Sequence, residues 1–137
     1  MSKNETPMIR EYWKKVGGTL IEEFPAVKRS PTCAQRLLDG IIIRRGEKRI
    51  ARWREVTLKG KDVIVIQAKA RRLGMTLMGQ TFFSAKLIKI FRPKSILSVA
   101  LCTEDDSTLR PLLEKYPNMK VEVMPKFSRP RRSRRRK

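Results

Sequence analysis

Apolar residues recur along this chain with two periods, and the switch between them outlines a fold. Met8, Ile9, Tyr12, Trp13 and Val16 are spaced as on one face of a helix. The segment "TPMIREYWKKVGG" therefore predicts a short helix, with Thr6 as N-cap, Pro7 at the first helical position, and Gly17 and Gly18 as its stop. Residues 1–6 read as a frayed terminus. Four strand-like segments follow: "TLIEEFPAVKR" with its proline at an edge or bend, "AQRLLDGIIIRR", "RIARWREVTL" and "DVIVIQAKA". Their connections are short enough for an antiparallel meander. The period then returns to that of a helix in "GMTLMGQTFFSAKLIKIF", which "RPK" stops. "SILSVALCT" is an apolar strand. "EDDSTLRPLLEKYP" is a helix with acidic residues in its first turn, and "KVEVMP" is a last short strand. The order α-β-β-β-β-α-β-α-β, with a strand–helix–strand crossover after a meander, predicts an α/β (α+β) fold: a mixed β-sheet flanked by helices.

Within "DVIVIQAKA" a continuous apolar run ends in Gln67, Ala68 and Lys69. Such runs mark strands buried on both faces, where an amide or a lysine needs a partner. Alternation puts Gln67 and Lys69 on the face of Val65. In the second strand Asp39 shares a face with Ile41 and Ile43, and Arg36 precedes it by three residues. Glu22 and Glu23 point to opposite faces of the first strand, so either, but not both, can join Asp39. Paired as a meander, the early strands bring one or two carboxylates toward Gln67 and Lys69.

Charge and missing residue types narrow the chemistry. The chain holds 33 Lys and Arg against 13 Asp and Glu, a formal net charge of +20 on 137 residues. Eight of those cations fall in the last twelve residues, "KFSRPRRSRRRK", and taking them away still leaves +12 on the first 125. A field of this sign favours polyanions, nucleic acid first. We expect one domain over residues 1–125 and a disordered basic tail over 126–137. The absence of histidine excludes His-based general base catalysis, Ser-His-Asp and Cys-His nucleophile systems, and His-ligated metal sites. Cys33 and Cys102 are too few and too far apart for a disulfide scaffold or a structural zinc site. With no apolar run of membrane-spanning length and no apolar leader in "MSKNETPMIREYWKK", the expected setting is cytoplasmic: intracellular, nucleoid-associated, without a membrane partner.

An acidic residue on one strand followed by Asp/Glu/Gln-x-Lys on a neighbour is the pattern of the PD-(D/E)xK nuclease superfamily, and this sequence resembles it. "LLDGIII" carries the aspartate and "VIVIQAKA" the Gln-x-Lys variant. The superfamily core of helix, three strands, helix and strand corresponds to residues 7–102 with one strand to spare, so the resemblance implies a restriction-endonuclease-like fold. It implies a metal-dependent DNA endonuclease whose catalytic residues are Asp39, Gln67 and Lys69 with Glu22 or Glu23. Mg²⁺ or Mn²⁺ would be held by Asp39, the Gln67 side-chain carbonyl and the Ala68 backbone carbonyl, since hard cations take oxygen ligands. Lys69 would orient the attacking water and stabilise developing negative charge. Gln80 lies where the exonuclease branch carries Gln-x-x-x-Tyr, but Ser84 stands at the tyrosine position. Leu38 stands where the superfamily usually has proline. Size and basicity resemble those of the archaeal Holliday-junction resolvases, which implies a homodimer.

The candidate nucleic-acid contacts are Arg36, the pairs Arg44/Arg45 and Arg71/Arg72, Arg52 and Arg54 around Trp53, and Arg129, Arg131, Arg132, Arg134, Arg135 and Arg136 of the tail. Trp13 belongs to an apolar stripe and is expected in the core; Trp53 is a candidate for base stacking or for cross-strand packing. The main rival reading is a catalytically inactive nuclease fold serving as a nucleic-acid-binding subunit of a larger DNA or RNA complex. A third is a small ribonucleoprotein component.

Overall fold

The structure is a computed structural model that describes residues 5–128. Its elements are α1 (Glu5–Val16), β1 (Thr19–Val27), β2 (Arg36–Ile43), β3 (Arg49–Ala51), β4 (Asp62–Ala68), α2 (Met75–Ile88), β5 (Ser95–Cys102), α3 (Leu109–Glu114) and β6 (Met119–Val123). The element order is the one the sequence predicts, and the fold is a mixed six-stranded sheet with helices on both faces. Gly17 and Gly18 end α1 with φ of 77° and 87°, and a side chain at Gly18 would run into the Ile43 carbonyl oxygen. The Trp13 indole donates to the Gly18 carbonyl oxygen at 2.7 Å, closing the same helix end.

The sheet order is β3-β1-β2-β4-β5-β6. This corrects the expected meander. β1, β2 and β4 are antiparallel neighbours, but β3 leaves the series and pairs parallel to β1 at the far edge through only three residues. "RIARWREVTL" does not continue as a strand because the Glu55 carboxylate accepts the Arg52 backbone N–H at 2.7 Å and turns Trp53–Glu55 into a 3₁₀ helix. β5 and β6 add in parallel beyond β4, as the crossovers through α2 and α3 require.

Two apolar layers fix the helices. On one face Met8, Ile9 and Tyr12 of α1 pack on Leu20, Ile42, Ile64, Ile66, Val99 and Leu101. On the other, Ile88 of α2 packs on Ile21, Ile41, Val63 and Val65, and Leu77 packs with Ala100, Leu113 and Val121. β4 is buried from Val63 to Ala68, as its unbroken apolar run foretells. The basic tail was expected from Lys126. Instead Pro125–Phe127 forms a 3₁₀ turn, Phe127 packs against the α1 layer, and Lys126 pairs with Glu11 at 3.1 Å. The tail arginines from Arg129 onward lie outside the described residues. No helix among the described residues is long and apolar enough to cross a membrane.

Candidate functional site

The β2–β4 ladder runs in register from Ile43↔Val63 to Gly40↔Ile66 and then stops. Continued by one step, that register sets Asp39 opposite Gln67. β2 follows β1 instead, through Phe24↔Leu38 and Pro25↔Leu37, and so splays from β4. At the same level Glu23 has a left-handed backbone, with φ of 54°, and the side-chain alternation slips. Ile21 and Phe24 consequently join one apolar layer, as do Leu38 and Ile41.

A splayed ladder leaves backbone N–H groups of β4 without strand partners, and buried donors must be satisfied. Two carboxylates take that role. Asp39 Oδ2 accepts the Ala68 N–H at 2.9 Å, and Glu5 Oε2 accepts the Ala70 N–H at 3.1 Å. Between them Lys69 sends its own N–H the other way, to the Leu101 carbonyl oxygen at 3.0 Å. The gap opens into a cleft of about 450 Å³ whose walls include Asp39, Gln67, Lys69, Gln80, Ser84 and Phe83. Arg36 lies on its rim.

Burial pushes the Asp39 carboxyl above the usual carboxylate range. The Ala68 N–H and the Lys69 ammonium oppose that shift, and the Glu5 carboxylate adds to it. Asp39 Oδ1 makes no hydrogen bond to a described residue. Half-buried Lys69 also lines the cleft and forms no ion pair among the described residues, so it acts on Asp39 through the field and not by contact.

Gln67 is 6% exposed and donates from Nε2 to Ser84 Oγ at 2.7 Å, while Ser84 Oγ donates to the Gln80 carbonyl oxygen at 2.5 Å. A serine hydroxyl has one proton, and here it is committed to Gln80. Ser84 must therefore accept from Gln67, which fixes the amide and leaves Oε1 on its other arm. Ser84, which stands at the tyrosine position of the Gln-x-x-x-Tyr pattern, thus orients Gln67 from α2.

Neither Glu22 nor Glu23 lines the cleft, which corrects their expected place beside Asp39. Glu22 is held by Arg10 of α1 through two bonds of 2.9 and 3.0 Å. Glu23 is exposed at the irregular step of β1. The second carboxylate of the gap is Glu5, from a segment expected to fray. Its signal was faint: one acid just ahead of the helical stripe, with its partner 65 residues away.

The candidate phosphate contacts fall at different places. Arg71 and Arg72 follow β4 on the cleft side, and Arg72 is paired with Glu104. Arg44 and Arg45 sit at the opposite end of the sheet, where Arg45 pairs with Asp62. Arg54 stacks 4.8 Å above the Trp53 ring, whose body packs on the core, so Trp53 sits in a packed setting of its own chain. Among the described residues no group of three or more His, Cys, Asp or Glu side chains is arranged to hold a metal ion. The candidate donors are instead of mixed type: the Asp39 and Glu5 carboxylates, the Gln67 amide oxygen and the Ala68 carbonyl.

No family model, no curated protein and no solved structure matches this chain.

Proposed function

We propose that the chain is a divalent-metal-dependent endonuclease that hydrolyses phosphodiester bonds in nucleic acid, DNA foremost, at the gap between β2 and β4. The observation that carries this reading is the half-buried Asp39 carboxyl, its pKa raised by desolvation, one oxygen bonded to Ala68 N–H, in one cleft with Gln67 and Lys69. A buried carboxylate of this kind is costly without a cation, and such costs concentrate at working sites. The donor chemistry fits Mg²⁺ or Mn²⁺, which take carboxylate, carbonyl and water oxygens. Asp39 and the Ala68 carbonyl would hold the ion, with the Gln67 Oε1 as a neutral ligand and Glu5 as a second carboxylate in the gap. A bound cation would acidify a water and neutralise charge on the phosphate.

The chain's own residues account for the rest. Ser84 keeps the Gln67 oxygen turned away from α2. Lys69 places a positive charge in the cleft, where it would orient the water and stabilise the negative charge that develops on the phosphate. Arg36 on the rim would grip the substrate backbone. The net charge of +20 supplies long-range attraction to the polyanion. The proposed setting is intracellular, with the nucleoid.

The second reading, an inactive nucleic-acid-binding subunit, is favoured by one feature: Gln67 gives the gap an amide where a third carboxylate would raise its hold on a cation. Incubation with branched, single-stranded and duplex DNA, with Mg²⁺, Mn²⁺ or chelator, separates the two. Metal-dependent cutting that disappears in Asp39→Ala supports the nuclease. Tight binding with no cutting of any substrate supports the subunit.

A further inference from the structure

The opposite end of the sheet carries a concentration of charge that the cleft does not use. Lys86 and Lys89 at the end of α2, and Lys94 leading into β5, line a hollow of about 400 Å³ with Ser95, Pro117 and Asn118 among its walls. No acidic residue lines it. Lys59, Lys61 and Arg92 adjoin it through the intervening turns: the Lys61 carbonyl accepts the Lys94 N–H at 2.7 Å, and the Arg92 carbonyl accepts the Gly60 N–H at 3.0 Å. None of these six cations forms an ion pair with a described residue. The neighbouring acid, Asp62, is occupied. The Ser95 hydroxyl at 2.5 Å and the Arg45 guanidinium hold its carboxyl below the usual range.

Helix stability explains part of this, since cations at the end of α2 gain about 0.3–1 kcal/mol each from the helix dipole. That covers Lys86 and Lys89 but not the four others. The walls are fixed by backbone bonds. Arg92 and Asn118 hold left-handed conformations with φ of 56° and 67°, tied by Arg92 N–H to Lys89 O at 3.0 Å and Ser98 N–H to Asn118 O at 2.8 Å. Of the lining ammoniums only Lys86 has a partner of another kind, the Phe82 ring at 5.2 Å, and a concave cluster of cations without carboxylate partners among the described residues focuses its field on an anion. Lysine ammoniums are point charges that bind phosphates without reading bases.

We propose that this hollow is a contact surface for the phosphodiester backbone, separate from the cleft, which seats a second stretch of the nucleic acid being processed. The proposal rests on the reading that the partner is nucleic acid, not on cleavage. The two sites lie at opposite ends of β4. From Asp62 to Gln67 the strand rises about 17 Å at about 3.3 Å per residue. That matches about five base-pair steps at about 3.4 Å each, within reach of one short duplex.

The test is fluorescence anisotropy of the full chain with labelled duplex DNA and duplex RNA, in chelator, across about 50 to 200 mM salt. Lys86→Gln/Lys89→Gln/Lys94→Gln is compared with a control of equal charge, Lys28→Gln/Arg29→Gln/Lys48→Gln. The hollow variant is expected to weaken binding about tenfold more than the control, and to make the slope of log affinity against log salt shallower by about 2 to 3. The Lys→Arg triple at the hollow should restore both. An effect on both duplexes, or on one, supports a backbone contact and names its source. Equal slopes for the two triples would overturn the proposal. So would an unchanged nucleic-acid slope together with lost cosedimentation on phosphatidylserine vesicles, which would assign the hollow to a lipid surface. Because no cleavage is read, failure here leaves the nuclease reading standing, and a failed cleavage assay leaves this proposal standing.

Discussion

At its two ends β4 handles charge in opposite ways. At the outgoing end two carboxylates are wholly or partly buried and bonded to backbone, Asp39 to Ala68 and Glu5 to Ala70, with exposed Arg36, Arg71 and Arg72 around them. At the incoming end they are many, exposed and mostly unpaired: Lys59, Lys61, Lys86, Lys89, Arg92 and Lys94. The Asp39 carboxyl has a position fixed by its backbone bond and a raised proton affinity, which chemistry needs. Exposed ammoniums attract a polyanion at long range and yield it to salt. In the function proposed above, one strand thus joins an end that acts on a phosphate with an end that holds one.

The largest expected effect breaks the first end and spares the second. Asp39→Ala should reduce metal-dependent cleavage to background while leaving duplex affinity in chelator within about twofold of wild type, because one buried residue adds little to counterion release. It should also lower stability by about 1–3 kcal/mol, because the Ala68 N–H loses its acceptor. Cutting at the wild-type rate would remove Asp39 from the site. Lys69→Ala comes next. Loss of one electrostatic stabiliser should slow turnover about 10²-fold, with an unchanged melting temperature, since its backbone bond to Leu101 remains. An unfolded variant would make the lysine structural.

Truncation sharpens the contrast through the charge of the C-terminal residues. Removing residues 129–137 takes away seven cations and should make the salt slope shallower by several units. Removing residues 126–137 should in addition destabilise the fold, because Phe127 leaves the α1 layer and Lys126 leaves Glu11. Equal melting temperatures for the two truncations would mean that Phe127 contributes nothing to the core.

These two ends also differ in how far the sequence reveals them. Asp39, Gln67 and Lys69 stand out because each interrupts an apolar strand run, where a polar residue needs a reason. The helix in residues 75–88 and the order of elements were legible from periodicity alone. Glu5 was not, since a lone acid before a helix reads as solvated, and its burial depends on the splay of β2 from β4. At the same level β1 takes a left-handed step at Glu23, a residue type that does not announce one. β3 was misread because alternation reports a strand but not its neighbour, and its partner is the edge of β1. The lysine hollow draws on three separated segments. Only the folding of α2, β5 and the turn before β6 makes them one surface.

A smaller effect concerns the cost of the buried carboxyl. Its pKa is raised in the folded state, so the folded chain holds that proton more tightly than the unfolded chain, whose Asp titrates near about 3.9. The associated stability is fully present below the unfolded value and is lost as pH rises through the folded one. At neutral pH Asp39→Asn should therefore melt above wild type, since its amide oxygen still accepts from Ala68 while carrying no charge. The difference should vanish in acid below about pH 3.9. Added Mg²⁺ should raise the melting temperature of wild type more than that of the variant. A variant that melts lower than wild type at neutral pH would show that the ionised carboxylate stabilises the gap.

The smallest expected effect isolates Glu5. Its carboxylate is one of the influences that raise Asp39, and it also satisfies the Ala70 N–H. Glu5→Gln keeps an acceptor oxygen for Ala70 and removes only the charge. The Asp39 midpoint, followed by carbon-detected titration of its carboxyl, should then move down toward the ordinary carboxylate range. It should not reach that range, because burial is the larger cause and remains. Glu5→Ala should shift the midpoint in the same direction but should also destabilise the fold by about 1–3 kcal/mol, by leaving the Ala70 donor unpaired. A midpoint that stays put in Glu5→Gln would mean that the two carboxylates do not sense each other. Glu5 would then be a peg for the end of β4 and no part of the site.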